Sequence, residues 1–200
     1  MSQYERKDRF YHKAKKEGYA ARSAYKLIEL DERFGILKPG RKIVDLGCAP
    51  GGWLKVAEDR ARGPLVGIDL LPLQYSTAPH TLFIQGDFLD QKNQQQIVKA
   101  LGGYADWVLS DMSPNISGIK FRDTLASAEL CEAALEFAKK VLKKGGGLVV
   151  KIFPGPELDP FRKKARAVFE KVTQVTPEAT RKSSTEVYLV AQGLKVPKNY

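Results

Sequence analysis

The stretch Ile43-Val44-Asp45-Leu46-Gly47-Cys48-Ala49-Pro50-Gly51-Gly52-Trp53 constrains this 200-residue chain more than any other. Apolar and β-branched residues lead through an acid into a loop with three glycines, and a helical pattern over residues 54–61 follows at once. A strand that turns through glycines into a helix brings backbone N–H groups up to a ligand. Glycine is needed there because a Cβ blocks close approach and disfavours positive φ. The dinucleotide spacing G-x-G-x-x-G is absent, since three other residues separate Gly47 from Gly51-Gly52. The loop therefore points to a nucleotide-like ligand without a bound pyrophosphate.

Strand-like segments fall at residues 42–46, 65–69, 81–85, 107–110, 147–153, 172–175 and 186–192. Helical patterns lie at 23–34, 54–61, 91–101, 124–142 and 159–169. Strands separated by helices of this length predict an α/β fold, a mostly parallel sheet with helices on both faces. No helical pattern separates the last two strands, so they are expected to pair antiparallel at one edge. No repeat or linker interrupts the pattern. The chain reads as a single domain, 1–200, with residues 1–35 a basic N-terminal extension packed on it.

In such sheets ligands sit beyond the carboxyl ends of the strands. Asp45 and Gly47, Asp69, Asp87 and Asp111 stand at the first four ends, and Lys151 lies in the fifth strand. One such acid is commonly a helix cap or a turn residue; four in succession are harder to explain that way. Asp69 follows the glycine loop by about 20 residues, where an acid accepts hydrogen bonds from ribose hydroxyls. Gly86-Asp87-Phe88 suits an acid and an aromatic ring facing an adenine. The pattern favours an adenosine ligand without a phosphate.

Net charge narrows the partner. A formal charge of +10 on a chain of this size suggests a polyanion, with nucleic acid ahead of an anionic membrane surface. Arg6, Lys7, Arg9, Lys13, Lys15, Lys16 and Arg22 crowd the first segment, interleaved with Tyr4, Phe10, Tyr11, Tyr19 and Tyr25. Cations neutralise phosphates while aromatic faces stack on unpaired bases. Clusters at Arg162-Lys163-Lys164-Arg166 and Arg181-Lys182 could extend that surface. No apolar run approaches the ~20 residues of a membrane span, and the charged N-terminus lacks a signal peptide's apolar stretch. Two cysteines far apart, Cys48 and Cys131, imply a reducing compartment and no disulfide framework. With His12 and His80 they have no zinc-site spacing, and no metal is expected. The expected location is the cytoplasm, and the expected state a monomer.

Six segments in order, DLGCAPGGW, GIDLLPL, QGDF, LSDMSPNISG, GGGLVVKIF and STEVYLVAQG, together with the earlier KAKKEGYAARSAYKL, resemble the motifs of the FtsJ/RrmJ 2′-O-ribose RNA methyltransferases. The resemblance runs from about Tyr11 to Gly193. It implies a seven-stranded Rossmann-like sheet and S-adenosylmethionine as methyl donor. It also implies a catalytic tetrad, matched here by Lys26, Asp111, Lys151 and Glu186, and a donor site at Gly51, Trp53, Asp69, Asp87 and Asp111. Asp45, Gly47 and Gly52 complete the candidate donor set from the loop itself. Cys48 stands where many relatives carry alanine.

The chemistry fits these residue types. Methyl transfer from a sulfonium is an in-line displacement, helped most by holding nucleophile and methyl close and aligned. Lys151 could act as base on a 2′-hydroxyl, or orient it and stabilise the developing alkoxide; the residues leave both open. A structural alternative, a gatekeeper lysine on an edge strand, also exists for Lys151. The substrate the resemblance implies first is a ribose, of a uridine, in large-subunit ribosomal RNA. A transfer-RNA anticodon-loop enzyme and a non-catalytic RNA-binding assembly factor are the alternatives. An amino-methylating enzyme would carry an Asn/Asp-Pro-Pro-aromatic motif where this chain has Asp111-Met112-Ser113-Pro114-Asn115. A metal-dependent methyltransferase would need an acidic cluster not apparent here, and a nicotinamide dehydrogenase would need the missing glycine spacing.

Overall fold

Strands buried on both faces read as continuous apolar runs, and Ile43–Leu46 is buried at every position. The computed structural model describes residues 8–181 and 184–195. Its seven strands are β1 (Ile43–Leu46), β2 (Leu65–Asp69), β3 (Thr81–Gln85), β4 (Ala105–Ser110), β5 (Leu142–Ile152), β6 (Phe169–Val175) and β7 (Val187–Leu194). They form one sheet in the order β3-β2-β1-β4-β5-β7-β6. β1 to β5 run parallel, whereas β7 lies antiparallel to both β5 and β6. The α/β architecture and the antiparallel pairing at one edge are as expected. The reversed strand is β7, one place in from the edge strand β6, because the link 176–186 is too short for a parallel crossover.

Six helices cover the sheet: α1 (Arg9–Glu17), α2 (Ala24–Phe34), α3 (Gly52–Ala61), α4 (Gln91–Leu101), α5 (Lys120–Val141) and α6 (Leu158–Val168). Alternate strand residues serve opposite faces. Val44, Leu46, Val108 and Val150 pack with α4, α5 and α6, while Ile43, Leu109, Val149 and Tyr188 pack with α2 and α3. β5 starts earlier than the sequence suggests. Its register to β4 passes from Ala105–Leu142 to Trp107–Gly147, so Lys143 to Gly146 form an irregular lead-in.

The basic N-terminal segment contains two helices rather than one. The Asp8 side chain caps α1 at the Tyr11 N–H (3.0 Å), and Gly18 ends it in the left-handed region. A helix of nine residues is marginal alone, and α1 is fastened by packing. Ala14 and Phe10 sit against Tyr25 and Ala179. The Arg22 guanidinium pairs with Asp8 and donates to the Ala179 carbonyl oxygen at 2.5 Å. α2 belongs to the core, with Leu27 and Leu30 fully buried.

Trp53 locks α3 to the start of α2. It is 2% exposed, its indole N–H donates to the Ser23 carbonyl (2.9 Å), and its ring leans on Tyr188 at 5.6 Å. Trp53→Phe keeps a buried ring but removes the donor. Thermal or urea unfolding should show a loss of about 1–2 kcal/mol. No loss would mean that the indole bond contributes nothing to docking α2.

Candidate active site

Strand order reverses between β1 and β4, and ligands of this fold sit beyond the carboxyl ends at such a switch point. Gly47 follows β1 with φ 73°, and a Cβ there would run into Met112 beyond β4. Only glycine lets the two strand-end loops approach this closely. A cleft of about 430 Å³ opens across the ends of β1 to β4, with Gly47, Asp69, Asp87, Phe88, Asp111 and Met112 among its walls.

The strand-end acids do two jobs. Asp69 accepts hydrogen bonds from the Ala49 N–H (2.8 Å) and the Leu71 N–H (2.9 Å), fastening the glycine loop to the end of β2. Asp87 accepts one from the Leu89 N–H at 2.9 Å. A carboxylate has about four acceptor sites, so both keep capacity for ligand hydroxyl or amino groups.

Asp45, Gly51, Gly52 and Trp53 do not line this cleft. The Tyr75 ring packs onto Gly51, whose φ is 113°, and Gly52 sits against Ser23 and Ala21. Their lack of side chains lets the neighbouring loops close over the first turn of α3. Asp45 is buried behind the loop at 1% exposure, and neither of its carboxylate oxygens has a hydrogen-bond partner among the described residues. Burial first, then the carboxylates of Asp111 and Asp69, push its carboxyl well above the ordinary range. Cys48 is also buried, and burial pushes its thiol up.

The tetrad residues converge from four places in the chain. Lys151 lies in β5 directly opposite Tyr188 of β7, so the two side chains share a face. The Lys151 ammonium donates to the Asp111 carbonyl oxygen (2.6 Å) and lies 3.2 Å from Asp111 Oδ1. On α2, Lys26 pairs with Glu186, just before β7, and donates to the Tyr188 hydroxyl at 3.2 Å. The Tyr188 hydroxyl in turn donates to Asp111 Oδ1 at 2.6 Å. One chain of contacts thus joins Glu186, Lys26, Tyr188, Asp111 and Lys151. Tyr188 is absent from the sequence-derived set. Its signal is period-two alternation, which puts Glu186 and Tyr188 on one face of the strand. Burial, then Asp111 and Glu186, push its phenol well above the ordinary range, so it stays a neutral donor.

The basic candidates divide. Arg9, Lys13, Lys15 and Lys16 are exposed on α1. Arg22 is committed inside the fold to Asp8 and Ala179, which corrects its expected place on the phosphate-binding surface. Arg6 and Lys7, with Tyr4 and Lys182, lie outside the described residues. Phe10 and Tyr19 pack on Tyr25 with ring centroids 5.6 and 5.9 Å away, the first tilted and the second edge-on, so part of their aromatic surface is spent inside the fold. The cluster Arg162 to Arg166 sits on α6, across the sheet from α2, and does not extend the α1 surface. No described helix is long and apolar enough to cross a membrane, and no metal-binding group of three side chains gathers among the described residues.

Known proteins are similar to this chain in sequence and in fold. A sequence model of the FtsJ-like methyltransferases matches residues 19–194. Ribosomal RNA large subunit methyltransferase E of Methanothrix thermoacetophila is 44% identical over 190 residues, covering 95% of this chain and 74% of that protein. The protein of the same name from Desulfatibacillum aliphaticivorans is 46% identical, covering 94% and 91%. The crystal structure of a protein described as a ribosomal RNA methyltransferase, from Plasmodium falciparum, superposes with TM-score 0.78 at 29% identity, over 88% of this chain and 98% of that one. With a match over most of its length, from α2 through the last strand, the chain belongs to the FtsJ-like methyltransferase family.

Proposed function

We propose that this protein methylates a ribose 2′-hydroxyl in large-subunit ribosomal RNA, with S-adenosylmethionine as donor. The observation that carries the reading is the double role of Asp111. It lines the strand-end cleft, and its carbonyl and carboxylate fix the Lys151 ammonium at the edge of that cleft. A cation is thereby held where a hydroxyl could meet a methyl group delivered from the cleft.

The residues fit such a donor. The cleft offers apolar walls and acids at strand ends. S-adenosylmethionine would supply an electrophilic methyl group; its transfer to a hydroxyl would leave neutral S-adenosylhomocysteine and release one proton to solvent. Asp69 and Asp87 hold ribose and adenine. Lys151 donates to the attacking oxygen and stabilises the negative charge that grows there, the kind of preorganised contact that lowers a barrier most. An ammonium has three donors; Lys151 uses one on the Asp111 carbonyl oxygen and sits in ion-pair range of the Asp111 carboxylate. Tyr188 and the Lys26–Glu186 pair keep Asp111, and through it Lys151, in place. The exposed cations of α1 supply phosphate contacts beside the site. Mapping 2′-O-methyl groups on ribosomal RNA made with and without the protein tests the substrate directly.

Lys151→Ala should lower single-turnover methyl transfer by about 10²–10⁴-fold and leave donor affinity near wild type. A folded variant with wild-type rates would sink this mechanism. Asp69→Ala should weaken donor binding by about 1–3 kcal/mol in calorimetry, with unchanged affinity removing its assignment.

Asp45 gives a pH dependence. Its folded-state pKa is raised, so the native state binds the extra proton and stability falls as pH rises from about 4, the ordinary Asp value, through the folded value. Asp45→Asn removes that slope. Urea titrations should find the variant gaining on wild type as pH rises through this window, then holding a constant advantage. Parallel stability curves would show that Asp45 is not held protonated in the free protein.

A further inference from the structure

Loop 112–119 runs between two clefts. Met112 and Ser113 line the strand-end cleft, whereas Ile116, Gly118 and then Lys120 line a second cleft of about 350 Å³. Phe153 and Pro154 form its inner wall, two and three positions past Lys151, and Thr185, next to Glu186, forms another side. The second cleft therefore adjoins the tetrad away from the cleft proposed to hold the donor.

Its walls are preformed. Asp123 of α5, itself 8% exposed, accepts hydrogen bonds from the Ser117 N–H (2.8 Å), the Ser117 hydroxyl (2.6 Å) and the Gly118 N–H (3.2 Å). That clamp fixes the loop without regular structure. The chain segment that borders the cleft is unusual for a surface facing water. Ile116, Ile119 and Phe121 are 62%, 60% and 68% exposed, beside the exposed cations Lys120 and Arg122. Exposed apolar side chains gathered in one place mark a binding surface. Apolar and aromatic faces next to cations suit a base with its phosphate.

We propose that this second cleft seats the base of the nucleotide whose ribose is methylated, unstacked from its neighbours. The proposal rests on the 2′-O-methylation reading. With the methyl arriving from the strand-end cleft and the hydroxyl at Lys151, the base must leave the ribose on the side away from the donor. The cleft walled by Phe153, Pro154 and Thr185 is the space there. Enzymes that react at a base extrude it into a pocket, and here an extruded base would serve recognition, since unstacked bases are the usual target of sequence-specific RNA readout. Ile119 and Phe121, exposed and next in the chain to the cleft residues Gly118 and Lys120, then meet the adjoining base, with Lys120 on the phosphate between them.

The test is a double-mutant cycle between cleft and base. The nucleotide methylated by wild type is first mapped on a large-subunit ribosomal RNA fragment. Two fragments are then compared, one intact and one lacking only the base at that ribose. Ile116→Ala and Thr185→Ala change exposed side chains, and neither belongs to the tetrad. On intact RNA each should lower kcat/KM by about 10-fold, the usual worth of one truncated pocket contact, with donor affinity unchanged. On the base-less RNA wild type should lose activity and the variants should lose no more than wild type does. Equal losses by the variants on both RNAs, or no loss on either, would overturn the proposal while leaving the methyltransferase reading intact. No 2′-O-methyl product from wild type on any fragment would instead defeat the methyltransferase reading, and this one with it.

Discussion

Lys151 faces Tyr188 across the β5–β7 pair, and the rest of the site depends on that register. Side chains alternate between faces with a period of two, so a slip of one residue would turn Lys151 and Tyr188 onto opposite faces. Their neighbours guard against the slip. Val150, Ile152 and Leu189 fill one apolar layer while Val149 and Val190 fill the other. The antiparallel insertion of β7 between β5 and β6 is thus a means of delivering residues. It brings Tyr188 and the preceding Glu186 beside a lysine that the parallel part of the sheet supplies with Asp111 alone.

Charges taken from water need partners, and removing one partner of a buried pair costs more than the pair is worth. Lys26 and Lys151 are nearly buried cations, and each has an anion, Glu186 and Asp111. The neutral Tyr188 hydroxyl links the two pairs by accepting from one cation and donating to the other cation's anion. Such a linked network polarises along its length and holds one geometry better than separate pairs do. Asp45 breaks the pattern with two unsatisfied oxygens in the wall behind the glycine loop. Native proteins keep such groups where function requires them.

Much of the fold was legible in the sequence because alternating apolar runs and glycine turns are local signals. Parallel pairing follows from β–α alternation, and six motifs in order are enough to imply the four tetrad members. Less local features stayed hidden. Nothing near Arg22 says that its guanidinium reaches Ala179, far along the chain. The rings of Phe10, Tyr19 and Tyr25 look like stacking platforms until the tertiary fold packs them together. Gly51 and Gly52 look like ligand contacts in the sequence, and in the structure they admit Tyr75 and Ser23. Composition reveals that glycine is needed; only the fold reveals what comes close to it.

The fastening of α1 has a thermal consequence. A nine-residue helix does not persist by itself, and α1 rests on a small cluster, Ala14 with Tyr25 and Ala179, apart from the main core. Segments with few buried contacts open well before the whole molecule unfolds. On warming, α1 should therefore come away while the sheet and the tetrad stay intact. Its fixed array of positive charge would become a loose tail, and grip on a polyanion would fade over a temperature range in which the catalytic centre remains whole.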